Sequence, residues 1–201
     1  MRRLAAVLVL GLLSIPLVAA TPAPDDTQTI ESIRKSLLRL PYYGVFDFLA
    51  FRYDRGVVTL SGYAYAPGLE RAAVKAAKAV PGVDEVKSDI QPLTASSFDD
   101  GIRWATFYRL YTDGFLSRYA PGGGLSRIDR HFNSRRFPGM QPFGAYPIHI
   151  VVDRGRTILF GTVDNETDRT VAGLRAREVP GAFSVENDLV VPDRHSSSSL
   201  K

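Results

Sequence analysis

The chain has 201 residues, of which 45% are hydrophobic, and it contains no cysteine. Its 25 basic and 21 acidic residues give a formal net charge of +4. This length suits one medium domain or two small ones, and the hydrophobic content is that of a chain that folds around a core. Without cysteine the chain has no disulfide, no thiolate metal ligand and no thiol nucleophile. A net charge this small does not by itself indicate a nucleic-acid partner.

The first 20 residues have the anatomy of a secretory signal peptide. A basic start precedes an apolar run, Leu4 to Val18, that ends in small residues. The run is interrupted by Pro16 and is shorter than the ~20 residues that a membrane-spanning helix needs. We predict cleavage after Ala20 and export to the periplasm, and a retained N-terminal anchor is the alternative. Export argues against a nucleic-acid partner.

The segment 27–93 predicts a small unit of two helices and three strands. Apolar residues at helical spacing alternate with runs rich in β-branched and aromatic residues. Asp54-Arg55-Gly56 predicts a three-residue hairpin connection, in which Gly56 supplies a positive φ. The predicted elements are a helix over 30–40, strands over 45–53 and 57–65, a helix over 67–80 and a strand over 83–93.

One phrase of the sequence occurs twice. "DRGVVTLSGY" begins at Asp54 and "DRGRTILFGT" begins at Asp153, a constant offset of 99 residues. Because the matching positions fall at turns and at apolar spacing, we infer an internal duplication. The structural glycines that it aligns are Gly56 with Gly155 in the turns and Gly62 with Gly161 in the strands that follow. A glycine inside a strand predicts that another backbone or a helix approaches closely.

The duplication predicts a second unit over 98–192. Its first helix covers about 98–111, and an insertion over 120–143 separates this helix from the first strand. The fold class is therefore α+β, with two tandem α-β-β-α-β units. In each unit two helices cover one face of a three-stranded sheet. Residues 193–201 predict a disordered tail.

Both units resemble the BON domain (bacterial OsmY and nodulation domain). The hairpin with its strand-borne glycine, the amphipathic helix after it and the "VPG" exit to the last strand carry the resemblance. It covers about 27–93 and 98–192, and two copies behind a signal peptide are common in that family. The resemblance implies a location in the cell envelope and binding of phospholipid or other envelope components. It also implies a role in envelope maintenance or stress protection rather than catalysis.

No constellation of catalytic or metal-ligating residues is apparent. The three histidines, His131, His149 and His195, lie in different segments, and none has a second histidine at metal-ligand spacing. No nucleophile elbow, phosphate-binding loop or dinucleotide fingerprint is present. Asp99 and Asp100 lie at the start of a predicted helix, where capping is the simpler role than paired-carboxylate chemistry. We therefore expect no enzyme activity, no cofactor and no bound metal.

Two basic and aromatic segments of the second unit are candidate contact surfaces. Four aromatic side chains lie on one face of the helix at 98–111, where they could pack inside the protein or meet a lipid surface. The loop "SRIDRHFNSRRF" could meet phosphate groups or remain solvated. The candidate lipid or partner contacts are Arg103, Trp104, Tyr108, Arg109, Arg127, Arg130, Arg135 and Arg136.

The function that these features predict is a non-enzymatic envelope protein that binds anionic phospholipid surfaces. The alternative is a periplasmic protein-interaction adaptor, because three-stranded sheets have edges that can accept a partner strand. Ile158 and Phe160 support the alternative, since they predict an apolar sheet face. That face needs cover from a partner or from the other unit.

Overall fold

The computed structural model describes residues 25–120 and 146–191, and these residues form two units of the same design. Each unit has a helix, an antiparallel strand pair, a second helix and a third strand parallel to the middle one. The predicted α+β class and tandem repeat are confirmed. The predicted signal peptide, the insertion beyond residue 120 and the tail at 193–201 lie outside the described residues.

The bounds of the elements follow the chain order. The first unit contains α1 (Asp26–Leu38), β1 (Phe48–Asp54), β2 (Val57–Ala64), α2 (Leu69–Lys78) and β3 (Glu85–Pro92). The second unit contains α3 (Ser97–Tyr111), a 3-10 turn (Ser117–Tyr119), β4 (Ile148–Asp153), β5 (Arg156–Thr162), α4 (Glu166–Arg177) and β6 (Ser184–Val190). The middle strands are β2 and β5.

Each unit has its own core between the helices and one face of the sheet. In the first unit Ile33 of α1, Leu60 of β2 and Ala73 of α2 are fully buried. In the second unit Phe107 of α3 and Leu159 of β5 take corresponding places. The helical and strand periodicities therefore point their apolar sides toward one another, as the sequence pattern predicts.

Both hairpin turns are tighter than the three-residue connection predicted from the sequence. Arg55 and Gly56 have φ values of 45° and 84°, and Arg154 and Gly155 have values of 51° and 76°. Two successive residues with positive φ form a type I′ turn, whose twist matches that of the flanking strands. Asp54 already pairs with β2 as a strand residue, so the turn has two residues and the prediction is wrong by one.

The two strand glycines are required by a close backbone approach, as predicted. Gly62 and Gly161 have φ values of 126° and 123°. A Cβ at Gly62 would collide with the carbonyl oxygen of Phe48, and one at Gly161 with that of Pro147. The neighbouring backbone lies at the start of the paired strand of the same hairpin, since Phe48 is the first residue of β1 and Pro147 directly precedes β4.

The strand predicted from Val45 begins three residues later, because Val45 and Phe46 pack into the second unit. The Phe46 ring is 1% exposed and meets the Trp104 ring edge-to-face, with the centroids 5.1 Å apart. The Ile150 N–H donates to the carbonyl oxygen of Val45 at 2.7 Å. A loop of the first unit thus completes the core of the second.

Candidate functional site

The aromatic stripe of α3 lies largely inside the protein. Phe107 and Tyr111 are fully buried, and the Tyr111 hydroxyl donates to the carbonyl oxygen of Ile148 at 2.7 Å. Burial raises the pKa of the Tyr111 hydroxyl, so it remains a neutral donor. Packing inside the protein is therefore the role of Phe107 and Tyr111.

Arg103 is buried, which corrects its prediction as a lipid contact. Only 1% of the residue is exposed. Its guanidinium donates to the Asp100 carboxylate at 2.6 Å and to the carbonyl oxygen of Val152. The same group lies 4.4 Å from the centroid of the Tyr65 ring, a cation–π contact with the first unit. Arg103 therefore connects α3, the edge of β4 and the first unit.

The other candidates on α3 are only partly accessible. Trp104 and Tyr108 are half-buried, and Trp104 contacts the Phe107 ring with the centroids 5.7 Å apart. The Arg109 side chain is 48% exposed and pairs with Glu178 of α4 at 3.0 Å. The candidates Arg127, Arg130, Arg135 and Arg136 lie outside the described residues.

The acidic residues at the start of α3 bind distant partners rather than cap the helix. The N-cap is Ser96, whose hydroxyl accepts from the Asp99 N–H at 3.3 Å. The Asp99 carboxylate accepts from the backbone N–H groups of Arg154 and Gly155 at 2.9 and 2.8 Å. The prediction that these side chains cap the helix is therefore wrong for its N–H groups, although both residues lie in the first turn, where the helix dipole favours acidic side chains. Asp99 instead fixes the second hairpin turn. Asp100 accepts from the Tyr65 hydroxyl at 2.8 Å and thereby joins the two units.

Asp47 organises the loop of the first unit that enters the second. Its fully buried carboxylate accepts from the backbone N–H groups of Gly44, Tyr65 and Ala66 at 3.0, 2.7 and 2.9 Å. Burial raises the pKa of this carboxyl, although the three donors and the nearby charge of Arg103 act in the opposite direction. These bonds set the position of the loop.

His149 lies at the contact between the units. The ring stacks on Tyr43, with the centroids 5.2 Å apart, and its Nδ1 lies 3.2 Å from the carbonyl oxygen of Gly44. Burial lowers the pKa of His149 to about 4, so the ring is neutral at pH 7. This environment gives His149 a structural role at the contact between the units.

The apolar face predicted at Ile158 and Phe160 is covered. Ile158 is 2% exposed, and the Phe160 ring stacks on Phe48 of the first unit with the centroids 4.2 Å apart. Tyr63 adds a second stacked ring at 5.9 Å. The sequence left open whether a partner protein or the other unit covers this face. For Phe160 the cover is the first unit.

A charged network holds the 3-10 turn against α4, where the chain enters the insertion. The Tyr119 hydroxyl donates to the buried Asp168 carboxylate at 2.6 Å and accepts from the Asp164 N–H at 2.8 Å. The Arg118 guanidinium also pairs with Asp168. Burial, together with the hydrogen bond to Asp168, raises the pKa of Tyr119. This network is structural, since its groups satisfy one another.

An exposed aromatic pair at one end of the second unit was missed by the sequence reasoning. Phe183 is 77% exposed and Phe98 is 50% exposed, and their ring centroids lie 5.7 Å apart. The Phe183 ring lies over Gly155, and the Phe98 ring lies over Gly181. We call Phe98, Phe183 and the adjacent turn residue Arg154 the aromatic end. The duplication contained a signal for it, because the position equivalent to Phe183 in the first unit is Asp84.

Within residues 25–120 and 146–191, no helix is long and apolar enough to cross a membrane. The same residues contain no group of three histidine, aspartate or glutamate side chains that could hold a metal ion.

The family match decides the classification. A model of the BON domain matches residues 25–91 and 134–193, which together make up more than half of the chain. The chain belongs to the BON domain family. This family is a non-enzymatic one, and its two matched segments correspond to the two units of the fold. The second match begins after α3, whose place in this BON protein is therefore supported by the fold rather than by the family match.

Comparison with solved structures gives distant likenesses. One is the C-terminal domain of CdsD, a structural protein of the type III secretion system of Chlamydia trachomatis. It is 14% identical, covers 85% of this chain and 100% of its own, and has a TM-score of 0.27. A second CdsD structure is also 14% identical, covers 81% of this chain and 91% of its own, and has a TM-score of 0.24. At these TM-scores neither likeness carries an argument. No curated protein matches the chain.

Proposed function

We propose that this BON protein is a non-enzymatic component of the cell envelope that binds anionic phospholipid surfaces. The observation that supports this most directly is the aromatic end of the second unit. Two exposed phenylalanine rings lie beside Arg154, whose side chain is 88% exposed and pairs with Asp153 at 3.2 Å, so this end combines an apolar group with a surface cation. That combination suits the boundary between acyl chains and phosphate head groups.

The aromatic end is held in place by the fold. The Phe183 N–H donates to the carbonyl oxygen of Gly155 at 2.8 Å, and Asp99 fixes the turn that carries Arg154. The two rings also contact each other, with the centroids 5.7 Å apart, so the fold brings them together before any ligand arrives. Binding therefore loses less conformational entropy than it would with unsupported side chains.

The first unit provides a comparison within the same chain. Asp84 makes the equivalent bond to Gly56 at 2.7 Å, so the backbone is the same and only the side chain differs. An aspartate at this place disfavours an anionic surface, whereas phenylalanine favours an apolar one. The proposal therefore assigns lipid contact to the second unit, with periplasmic export as the route by which the chain reaches the envelope. Tyr108, Arg109 and the loop arginines remain proposed auxiliary contacts.

Co-sedimentation of residues 21–201 with vesicles tests the proposal. Vesicles of phosphatidylglycerol and phosphatidylethanolamine are compared with vesicles of phosphatidylcholine alone. We expect Arg154→Glu to reduce binding to the anionic vesicles at least about fivefold, because a basic residue near such a surface contributes about 1 kcal/mol. Phe183→Asp should reduce it at least about tenfold, because burial of a phenylalanine side chain contributes about 1.5–3 kcal/mol. The matched control is Arg55→Glu, at the equivalent turn of the first unit, which leaves binding unchanged. Equal binding to both vesicle types, or none, contradicts the proposal.

A further inference from the structure

The outer edge of β1 differs from the equivalent edge of β4 in its hydrogen bonding. In each hairpin the two-residue turn determines which backbone groups face the partner strand and which face outward. In β1 the outward residues are Leu49, Phe51 and Tyr53, as the Leu49 N–H shows by donating to the Tyr43 hydroxyl at 3.4 Å. With the offset of 99 residues, their counterparts in β4 are Ile148, Ile150 and Val152.

In the second unit, outward backbone groups of β4 are hydrogen-bonded to side-chain and backbone groups of α3 and of the first unit. The carbonyl oxygen of Ile148 accepts from Tyr111, the Ile150 N–H donates to Val45, and the carbonyl oxygen of Val152 accepts from Arg103. This is the structural reason for the burial of Arg103. An edge treated in this way cannot pair with a further strand.

The edge of β1 has no such closure beyond Leu49. Among residues 25–120 and 146–191, none bonds to the outward N–H and C=O groups of Phe51 and Tyr53. The strand is also apolar from Phe48 to Phe51 and half-exposed there. The two remaining edge strands, β3 and β6, instead carry charges at alternate positions, which protects an edge from pairing.

A cleft of about 290 Å³ lies between this edge and α1. Leu37 and Leu38 line it from the helix, Leu49 and Phe51 line it from the strand, and Arg34 lies at its rim. Leu38 is 54% exposed, although it is a large apolar residue. The cleft therefore offers an apolar side chain a place directly beside unpaired backbone groups.

Basic side chains lie at the cleft and along the two elements that form it. The Arg34 side chain at the cleft is 61% exposed and only loosely paired with Glu31, at 3.6 Å. Arg39 directly follows α1, and Arg52 of β1 lies on the face of the sheet opposite Phe51; both are exposed. A second copy of the chain pairing edge to edge would bring these cations together, and like charges on paired strands are destabilising. An acidic partner strand would instead meet opposite charges.

We propose that the outer edge of β1 and the cleft beside α1 bind an extended segment of a partner protein, with apolar and acidic side chains in alternation. The segment adds as a fourth strand through the backbone groups of Phe51 and Tyr53. One of its apolar side chains enters the cleft, and its acidic side chains face the surrounding arginines. This site is separate from the aromatic end and does not depend on lipid binding.

Amide hydrogen exchange first tests whether the edge is open. In the free chain we expect the Phe51 and Tyr53 amides to exchange at least a hundredfold faster than the Ile150 amide, which is bonded to Val45. Equal protection of the three amides means that another part of the chain already closes the edge, and it overturns the proposal. This measurement needs no ligand and no variant.

Selection from a phage-displayed random dodecapeptide library on residues 21–201 then tests the chemistry. We expect enrichment of peptides with alternating apolar and acidic residues, and we expect a selected peptide to protect the Phe51 and Tyr53 amides. Phe51→Pro removes an outward N–H without removing a bond to β2 and should weaken the peptide at least tenfold. Arg34→Glu with Arg39→Glu should do the same if the proline variant does not fold.

The matched control reverses two charges elsewhere in the first unit. Arg71→Glu with Lys75→Glu changes the exposed face of α2 and should leave peptide affinity unchanged. Absence of enrichment, equal binding to the edge variants, or a dimer that Phe51→Pro converts to a monomer would each overturn the proposal. Vesicle binding is measured in parallel and should be unaffected by the edge variants, so failure of either proposal can be recognised separately.

Discussion

The burial of Phe46 in the second unit predicts that the two units unfold in one cooperative transition. Phe46 belongs to the loop before β1, yet its ring is buried beside Trp104 and Phe107 of the second unit. Substitution of a buried phenylalanine by alanine costs about 3–5 kcal/mol, because transfer free energy is lost and a cavity remains. For a protein of this size each kcal/mol lowers Tm by about 2–4 °C, so Phe46→Ala should lower Tm by about 10 °C.

The assay uses the single tryptophan of the chain. Trp104 fluorescence reports the contact between the units, and far-ultraviolet circular dichroism reports both units together. If the loop joins the cores energetically, both signals fall in one transition, and Phe46→Ala moves them together. Phe115→Ala is the control, because this ring is 61% exposed and should change the stability by less than about 0.5 kcal/mol.

Ile33→Ala provides the result that could refute this reasoning. Ile33 is fully buried in the core of the first unit, whereas Trp104 packs against the core of the second. If the units are coupled, Ile33→Ala lowers the free energy of unfolding of the whole protein by about 2–4 kcal/mol. The Trp104 transition then also moves to a lower temperature. Two separate transitions in the unmodified chain, with Ile33→Ala moving only the one that Trp104 does not report, would mean that the units unfold independently.

Three further predictions concern single residues. Arg103→Met should destabilise the fold by about 2–3 kcal/mol, because the Val152 carbonyl loses its charged donor, and should leave vesicle binding unchanged in the co-sedimentation assay. The pKa of His149 is lowered to about 4, so as the pH falls the unfolded chain binds the proton before the folded protein does. The free energy of unfolding should therefore decrease by about 3 kcal/mol between pH 6.5 and pH 4. His149→Phe should remove this part of the pH dependence in urea titrations. Gly161→Ala should cost about 1–3 kcal/mol in the same titrations, whereas Gly101→Ala, where an added Cβ meets open space, should not destabilise the helix.

The sequence predicted the elements well because each has a strong local period. The hairpins, the helices after them and the positions of Gly62 and Gly161 follow from alternation, helical spacing and turn chemistry. The start of β1 was misplaced because "VFDFLAFRY" has the composition of one strand throughout. Whether Val45 and Phe46 pair with β2 or pack against α3 depends on the position of the second unit, which a local pattern does not contain.

The candidate site was harder to predict, for a physical reason. Arg103 and Arg109 both lie on α3 in a basic and aromatic sequence, and local charge does not distinguish a solvated arginine from one that satisfies a buried carbonyl. The aromatic end has the opposite difficulty, because Phe98 and Phe183 are distant in sequence and meet only through the fold. Comparison of Phe183 with Asp84 is the one signal in the sequence that could have identified it.

The duplication therefore helps most where the two copies disagree. Their cores agree, because both must bury the same sheet face against two helices. Their strand edges differ: β4 is closed by Val45, Tyr111 and Arg103, whereas the equivalent groups of β1 have no bonds of this kind among the described residues. The edge that is closed is the one that holds the two units together. The second unit, whose β4 edge is occupied by the first unit, has its proposed lipid contact at the aromatic end. The first unit, whose β1 edge is open among the described residues, retains a place for a partner strand.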